Sequence, residues 1–223
     1  MKLKLILFFL FTMLVIHPAK GQDSAFGVWY GLNAEYAINK KIELDISWNL
    51  RTYNQGKNIE QSFIEGGLSY KFNKYFSSSL AYRFTEKIER NGNFYPRHKL
   101  FFALKGTLPA GNFSFSSRLM LQYQNKTYIE KLSDEIPEYA IRIKLKAIYR
   151  IPSFPVNPYI YYESFSGLNG VSTHFIDKDR FSAGFELKIT RKHSVGVGYI
   201  HQRDFEPKNE NLNILSLDYN IKF

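Results

Sequence analysis

The chain closes with Leu215-Ser216-Leu217-Asp218-Tyr219-Asn220-Ile221-Lys222-Phe223. Leu215, Leu217, Tyr219, Ile221 and Phe223 fall on one face of an extended backbone, and Ser216, Asp218, Asn220 and Lys222 on the other. Strict period-two alternation marks a strand with one apolar and one polar face. The chain then stops on a bare aromatic residue. A terminus in water frays, so this last side chain needs an apolar surrounding.

The same pattern recurs through the chain. Ile42, Leu44, Ile46, Trp48 and Leu50 alternate with Glu43, Asp45, Ser47, Asn49 and Arg51. Alternating stretches also run from Val28, Ile64, Phe76, His98, Phe113, Tyr139, Phe181 and Val195, with a less regular one around Ile160 and Tyr162. Segments of about ten residues with alternating hydrophobicity are expected of transmembrane strands. Beyond the amino-terminal run no stretch of 18 apolar residues exists, which excludes a helical membrane protein.

Residues 1–21 read as a secretory signal peptide. Lys2 and Lys4 form its positive start, Leu5 to Ile16 its apolar centre, and Ala19-Lys20-Gly21 its cleavage region. The mature chain is then 22–223, a single domain. Of 30 Lys plus Arg, removal of Lys2, Lys4 and Lys20 leaves 27 against 20 Asp plus Glu, a formal charge of +7. The absence of cysteine excludes disulfides, thiol chemistry and a lipoprotein anchor.

Connections alternate in length along the sequence. Asn39-Lys40, Asn73 to Tyr75, Pro109 to Gly111, Pro152 to Asn157 and Arg191 to His193 are short. Tyr53 to Glu60, Lys87 to Pro96, Asn125 to Pro137, Gly167 to Lys178 and Asp204 to Asn211 are long. Outer-membrane barrels carry short periplasmic turns and longer extracellular loops. The expectation is an all-β antiparallel transmembrane barrel of about 10–12 strands. Eleven stretches are counted, whereas bacterial single-chain barrels have even numbers. Either a strand escapes the pattern, or the first segment threads the lumen or lies outside the wall.

Aromatic residues on the apolar face form two bands. Tyr36, Phe72, Phe76, Phe113, Tyr149 and Phe223 lie near the short turns, and Tyr82, Phe84, Tyr123, Tyr139, Phe181 and Tyr199 near the long loops. Two such bands suit the two membrane interfaces. The rival, a soluble lipocalin-like barrel with its apolar face inward, would have to enclose more large side chains than a small barrel holds. The terminal strand resembles the closing strand of bacterial outer-membrane barrels. That resemblance makes Leu215, Leu217, Tyr219, Ile221 and Phe223 an assembly signal read by the barrel insertion machinery. Trp29, Glu65-Gly66-Gly67-Leu68-Ser69-Tyr70-Lys71-Phe72, Ala81-Tyr82-Arg83-Phe84, Arg97-His98, Arg118 to Tyr123, Pro158-Tyr159 to Glu163-Ser164-Phe165 and Tyr199-Ile200-His201-Gln202 resemble an uncharacterised bacterial outer-membrane family, a domain of unknown function. The resemblance implies no activity.

The inward face carries a charge cluster: Glu43, Asp45, Arg51, Glu65, Arg83, Lys99, Lys105, Arg118, Arg142, Lys144, Lys146, Glu163, Arg180 and Glu186. Buried charges must be paired or wet. The expectation is a non-enzymatic structural barrel or a narrow passive channel, with strands five to seven forming a positive wall. The alternative is a lipid or ester hydrolase at the outer rim. Of the mature histidines His98, His174, His193 and His201, it would draw on His98 or His201, near the outer ends of their strands, with Ser164 or Ser166, although no compact Ser–His–acid motif is present. No catalytic or metal residue is assigned, and no cofactor. Expected partners are outer-membrane lipid and lipopolysaccharide, the assembly machinery and small solutes. Nucleic acid is not expected, since the positive charge alternates into the lumen and forms no stripe.

Overall fold

Backbone N–H and C=O groups in hydrocarbon have no water to turn to, so a sheet that crosses a membrane must leave no open edge. Eleven strands meet that demand by closing into a barrel. The structure, a computed structural model, describes residues 25–89, 91–129, 135–169, 175–205 and 210–223. The signal peptide expected at residues 1–21 lies outside the described residues, as does His174.

The strands are β1 (Ala25–Ala37), β2 (Ile42–Tyr53), β3 (Asn58–Lys71), β4 (Phe76–Ile88), β5 (Phe94–Ala110), β6 (Phe113–Lys126), β7 (Glu138–Tyr149), β8 (Val156–Gly167), β9 (Lys178–Lys188), β10 (His193–Asp204) and β11 (Glu210–Lys222). Consecutive strands pair antiparallel around the wall. The odd count is resolved at the closure, because β1 is in the wall and pairs parallel with β11. An odd closed meander must contain one such pair, since its first and last strands run the same way. The expected antiparallel barrel of about 10–12 strands is borne out, with one parallel pair at its closure.

That seam is held by side chains as well as backbone. Asn33 Nδ2 donates to Asn220 Oδ1 at 3.0 Å, and the Phe223 N–H donates to the Glu35 carbonyl at 2.9 Å. Lys222 and Glu35 form an ion pair at 2.5 Å. On the inner face, a Cβ at Gly31 would lie 2.3 Å from Asp218 Oδ1. A side chain there would displace the Asp218 carboxylate.

At one rim three turns share a local device. The Asn39 side-chain oxygen accepts from the N–H groups of Lys41 and Ile42. Asn73 does the same for Tyr75 and Phe76, and the Thr190 hydroxyl for Lys192 and His193. Such side-chain bonds mimic a backbone turn and explain why these connections can be tight. Gly111, at φ +58°, turns the β5–β6 hairpin.

The other rim is less looped than its polar sequence suggests. β4 runs to Ile88 and β5 starts at Phe94, so only 89–93 connect them. Likewise 54–57 connect β2 and β3, and 205–209 connect β10 and β11. Longer connections remain at 127–137 and 168–177. The strands continue beyond the alternating apolar zone, because backbone pairing goes on in water where no lipid enforces the pattern. At the short-turn rim, β8 already begins at Val156, so Asn157 belongs to the strand.

The outward apolar residues are exposed, as a lipid-facing surface requires: Leu32, Ile46, Leu68, Leu80, Phe102, Leu121, Ile143 and Phe185 among them. Phe76 and Phe84 belong to the two aromatic bands on one strand. Eight residues at about 3.3 Å, tilted about 40°, separate the bands by about 20 Å. That approaches the height of an apolar barrel belt. Rings touch within the bands: Phe72 and Phe76 stack with centroids 5.4 Å apart, and Tyr123 meets Tyr139 at 5.4 Å.

The parallel register is directly testable in a chain without native cysteine. Ala34 and Ile221 are register partners on the outer face. Ala34→Cys with Ile221→Cys should form a disulfide on mild oxidation of the folded barrel, read as altered gel mobility reversed by reductant. Ala34→Cys with Asn220→Cys, which point to opposite faces, should not. Equal crosslinking of both pairs would contradict the seam.

Candidate functional site: the charged lumen

Alternation places one residue in two inside the wall, and a barrel of this size has an interior that long side chains can span. The inward residues of β2 to β9 are unusually long and charged. What they need is neutralisation, and the wall supplies it unevenly.

Glu163, on β8, is 3% exposed and collects three guanidinium groups. Arg118 of β6 and Arg142 of β7 each reach its Oε1 at 2.9 Å, and Arg180 of β9 approaches Oε2 at 3.8 Å. Arg180 Nε also donates to Gln202 Oε1 at 2.8 Å. On the opposite wall Arg83 pairs with Glu65 at 2.5 Å, and lower down Lys71 pairs with Glu43 at 2.5 Å. Asp45 accepts a hydrogen bond from the Ser69 hydroxyl at 2.7 Å.

The second feature of the lumen is aromatic. Arg83 lies 4.9 Å from the Phe101 ring centroid and 4.0 Å from that of Phe63. Arg51 lies 5.0 Å from Phe63 and 3.8 Å from Trp29. Arg180 lies 4.8 Å from Trp29 and 4.6 Å from Phe165, and Arg142 lies 4.5 Å from Phe165. The result is one unbroken ladder of rings and guanidiniums: Phe101, Arg83, Phe63, Arg51, Trp29, Arg180, Phe165, Arg142. It starts on β5, passes through β4, β3 and β2 to β1, and crosses the lumen to β9, β8 and β7. Each contact contributes about 0.5–2 kcal/mol when desolvated.

The crossing is possible because β10 and β11 present small or apolar groups there. Ile200 and Ile214, register partners on these two strands, are buried, Ile214 at 0% exposure, and so are Phe63 and Phe101. Nearby, Tyr159 lies across two facing glycines. A Cβ on Gly198 would stand 2.4 Å from its hydroxyl, and one on Gly184 would stand 2.4 Å from the Val197 carbonyl oxygen.

Several cations have no carboxylate partner among the described residues: Arg51, Lys99, Lys105, Lys144 and Lys146. Lys144 instead lies 3.6 Å from the Tyr161 ring and Lys146 lies 4.5 Å from Tyr159. Lys105 is exposed towards the short-turn end of β5. Glu186 makes no ion pair among the described residues.

The lumen charges form two groups, one on Glu163 and one on Glu65, joined through aromatic rings. The rings are the part the sequence reading missed. A signal was available: Trp29, Phe63, Phe101, Tyr159, Tyr161 and Phe165 are aromatic residues in the polar phase of otherwise alternating strands.

The histidines are placed differently. His98 Nδ1 lies 2.6 Å from the Tyr82 hydroxyl, His193 Nδ1 lies 2.9 Å from the Tyr219 hydroxyl, and His201 Nδ1 lies 2.9 Å from Asn213 Oδ1. Ser164 and Ser166 are on β8, register partners of Ile143 and Ile141. Among the described residues no serine is hydrogen-bonded to His98 or His201, so nucleophile and base are not brought together. Among the described residues there is also no group of three His, Asp or Glu side chains arranged to hold a metal.

Residues 26–213 match the family model described as protein of unknown function DUF2490, and the chain belongs to that family. Among solved structures it is similar to the NanC porin, at 14% identity and a TM-score of 0.55, covering 88% of this chain and 99% of that one. It is also similar to the β domain of the Bordetella autotransporter BrkA, at 11% identity and a TM-score of 0.48, covering 85% and 86%. No curated protein matches. The likeness to the porin shows the fold, that of an outer-membrane β-barrel.

Glu163 carries more of the lumen's compensation than any other acid described. Glu163→Gln should keep the volume but leave Arg118, Arg142 and Arg180 facing one another. The expected cost is on the order of 3 kcal/mol, from breaking buried pairs. The check is the temperature at which the detergent-purified barrel loses its compact gel mobility, which should fall well below that of the unmodified protein.

Proposed function

We propose that this family member is a non-enzymatic outer-membrane barrel whose lumen is closed to passive flow. The observation that carries the reading is the continuous ladder from Phe101 to Arg142, together with the buried Ile200 and Ile214 of β10 and β11. Eleven strands make a wall narrower than the about 16 to 18 strands that leave an open aqueous channel. Stacked side chains can therefore bridge it.

In this reading the rim with the short turns faces the periplasm and the rim with the 127–137 and 168–177 connections faces outward. The exposed apolar belt meets lipid, and the outward rim meets lipopolysaccharide. The closing strand with Phe223 is the feature the assembly machinery would read. The absence of any serine on His98 or His201 among the described residues supports a non-enzymatic role. Work done by such a barrel then resides in its outer connections and its vestibules.

A second reading is favoured by one specific observation. Lys99, Lys105, Lys144 and Lys146 lack carboxylate partners among the described residues, so the lumen carries excess positive charge. A barrel that opens would pass small anions in preference to cations.

Planar-bilayer recording of the purified barrel decides between them. The unmodified protein should show no sustained conductance steps in salt. Trp29→Ala combined with Arg51→Ala removes two adjacent rungs and should open steps with anion preference. Stable steps from the unmodified protein would overturn the closed reading.

A further inference from the structure

The closed layer of the lumen does not balance its own charge. Arg51, Arg83, Arg118, Arg142 and Arg180 meet there, and the carboxylates in contact with them are Glu65 and Glu163. Five positive charges face two negative ones. Lys99, register partner of Arg83, adds another without a carboxylate of its own among the described residues. Cations removed from water cost several kcal/mol each unless they are compensated. A lysine can escape by giving up its proton, but an arginine in a protein cannot.

Arg51 is the sharpest case. Its guanidinium is sandwiched between Trp29 and Phe63, whose ring faces soften the charge without cancelling it. Arg180, Arg83 and Arg142 repel it, and Glu60 is the acid that opposes them. Lys99 is repelled in turn by Arg83, Arg51, Arg97 and Arg142.

Among the buried hydrogen-bonding groups without a partner, the Thr85 and Ser182 hydroxyls can donate or accept and one oxygen each of Asp177 and Asp204 accepts, whereas those on the indole and guanidiniums of this layer only donate. Trp29 Nε1, Arg51 Nε, Arg118 Nε and Arg142 Nε are buried and have no partner. All four are N–H groups that can only donate. An interior with spare donors and spare positive charge lacks one thing, an acceptor that is negative.

We propose that the closed lumen is a binding site for one compact oxyanion, of phosphate or carboxylate type, held by Arg51 and Lys99 with the Trp29 indole N–H beside them. A planar guanidinium suits two oxygens of such a group, and a lysine adds a point charge from the facing strand. Bound there, the anion would complete the layer and tighten the closure. The proposal rests on the reading of a closed lumen, because an open, wet lumen would solvate these charges and leave nothing to compensate.

The test uses the mature barrel in detergent, with inorganic phosphate as the probe at constant ionic strength set by chloride. The unfolding midpoint, read by compact gel mobility, should rise saturably, by about 3 °C at roughly ten times the dissociation constant. Arg51→Met keeps bulk and removes the charge. It should weaken the phosphate response at least tenfold. Arg203→Met removes an outer-face cation that pairs with Asp179, and should leave the response intact. If Arg203→Met abolishes the response instead, the phosphate sits on the rim, where a lipid headgroup would, and the lumen site is refuted.

Should Arg51→Met fail to fold, Lys99→Met serves the same purpose, and equilibrium dialysis of the unmodified barrel should find one phosphate per chain. A phosphate effect no greater than that of chloride, or one unchanged in both lumen variants, overturns the site. Silent bilayers with no phosphate response count against the anion site alone. Steady conductance with no phosphate response counts against the closed lumen as well.

Discussion

The structure depends on one constraint, that a sheet in lipid must have no unpaired edge. Ten antiparallel pairings leave β1 and β11 as two edges, and these close by running parallel. The join carries unusual reinforcement. An amide pair, an ion pair and the last backbone N–H of the chain all cross it. Phe223 thus serves twice, with its ring on the apolar face and its N–H bonded to Glu35. Parallel pairs are slightly weaker per residue than antiparallel ones, which is a reason to expect added bonds at this place.

Closure at this strand number fixes the problem the interior must solve. The cylinder is too wide for small side chains to fill and narrower than the barrels of about 16 to 18 strands that leave an aqueous channel. Arginine and large aromatic residues are the pieces long enough to meet in the middle. Their alternation lets each guanidinium lie on ring faces where hydrogen-bond partners are scarce. The glycines on β9 and β10 follow from the same geometry, since Tyr159 needs the space their missing Cβ atoms leave. The charge that the rings leave uncancelled then sets the chemistry of the lumen.

Much of the wall was legible in the sequence, because lipid enforces a rule on every second residue. Leu44, Ile46 and Trp48 could only point one way. The strand ends were harder: Lys87, Ile88 and Phe94 sit where lipid no longer selects, yet their backbones still pair. The charged set was legible as inward-facing, but its partners were not. Glu163 takes Arg118 from two strands away, a contact that depends on stagger and leaves no trace in local spacing. The ladder was half visible, as aromatic residues out of phase with their own strands. The odd count, which looked like an error against the even rule, was a property of the closure.

The parallel seam also separates the ends of the wall. Ala25 opens β1 at the rim where Glu210 opens β11, while Lys222 closes β11 at the far rim. The two ends of the barrel therefore stand on opposite faces, one strand length apart. No tight turn could join them, and a cyclic version of this barrel would need a strap running the height of the wall. For the same reason the barrel is a directional adaptor: a module grafted before Ala25 and another grafted after Phe223 would be presented to two different compartments.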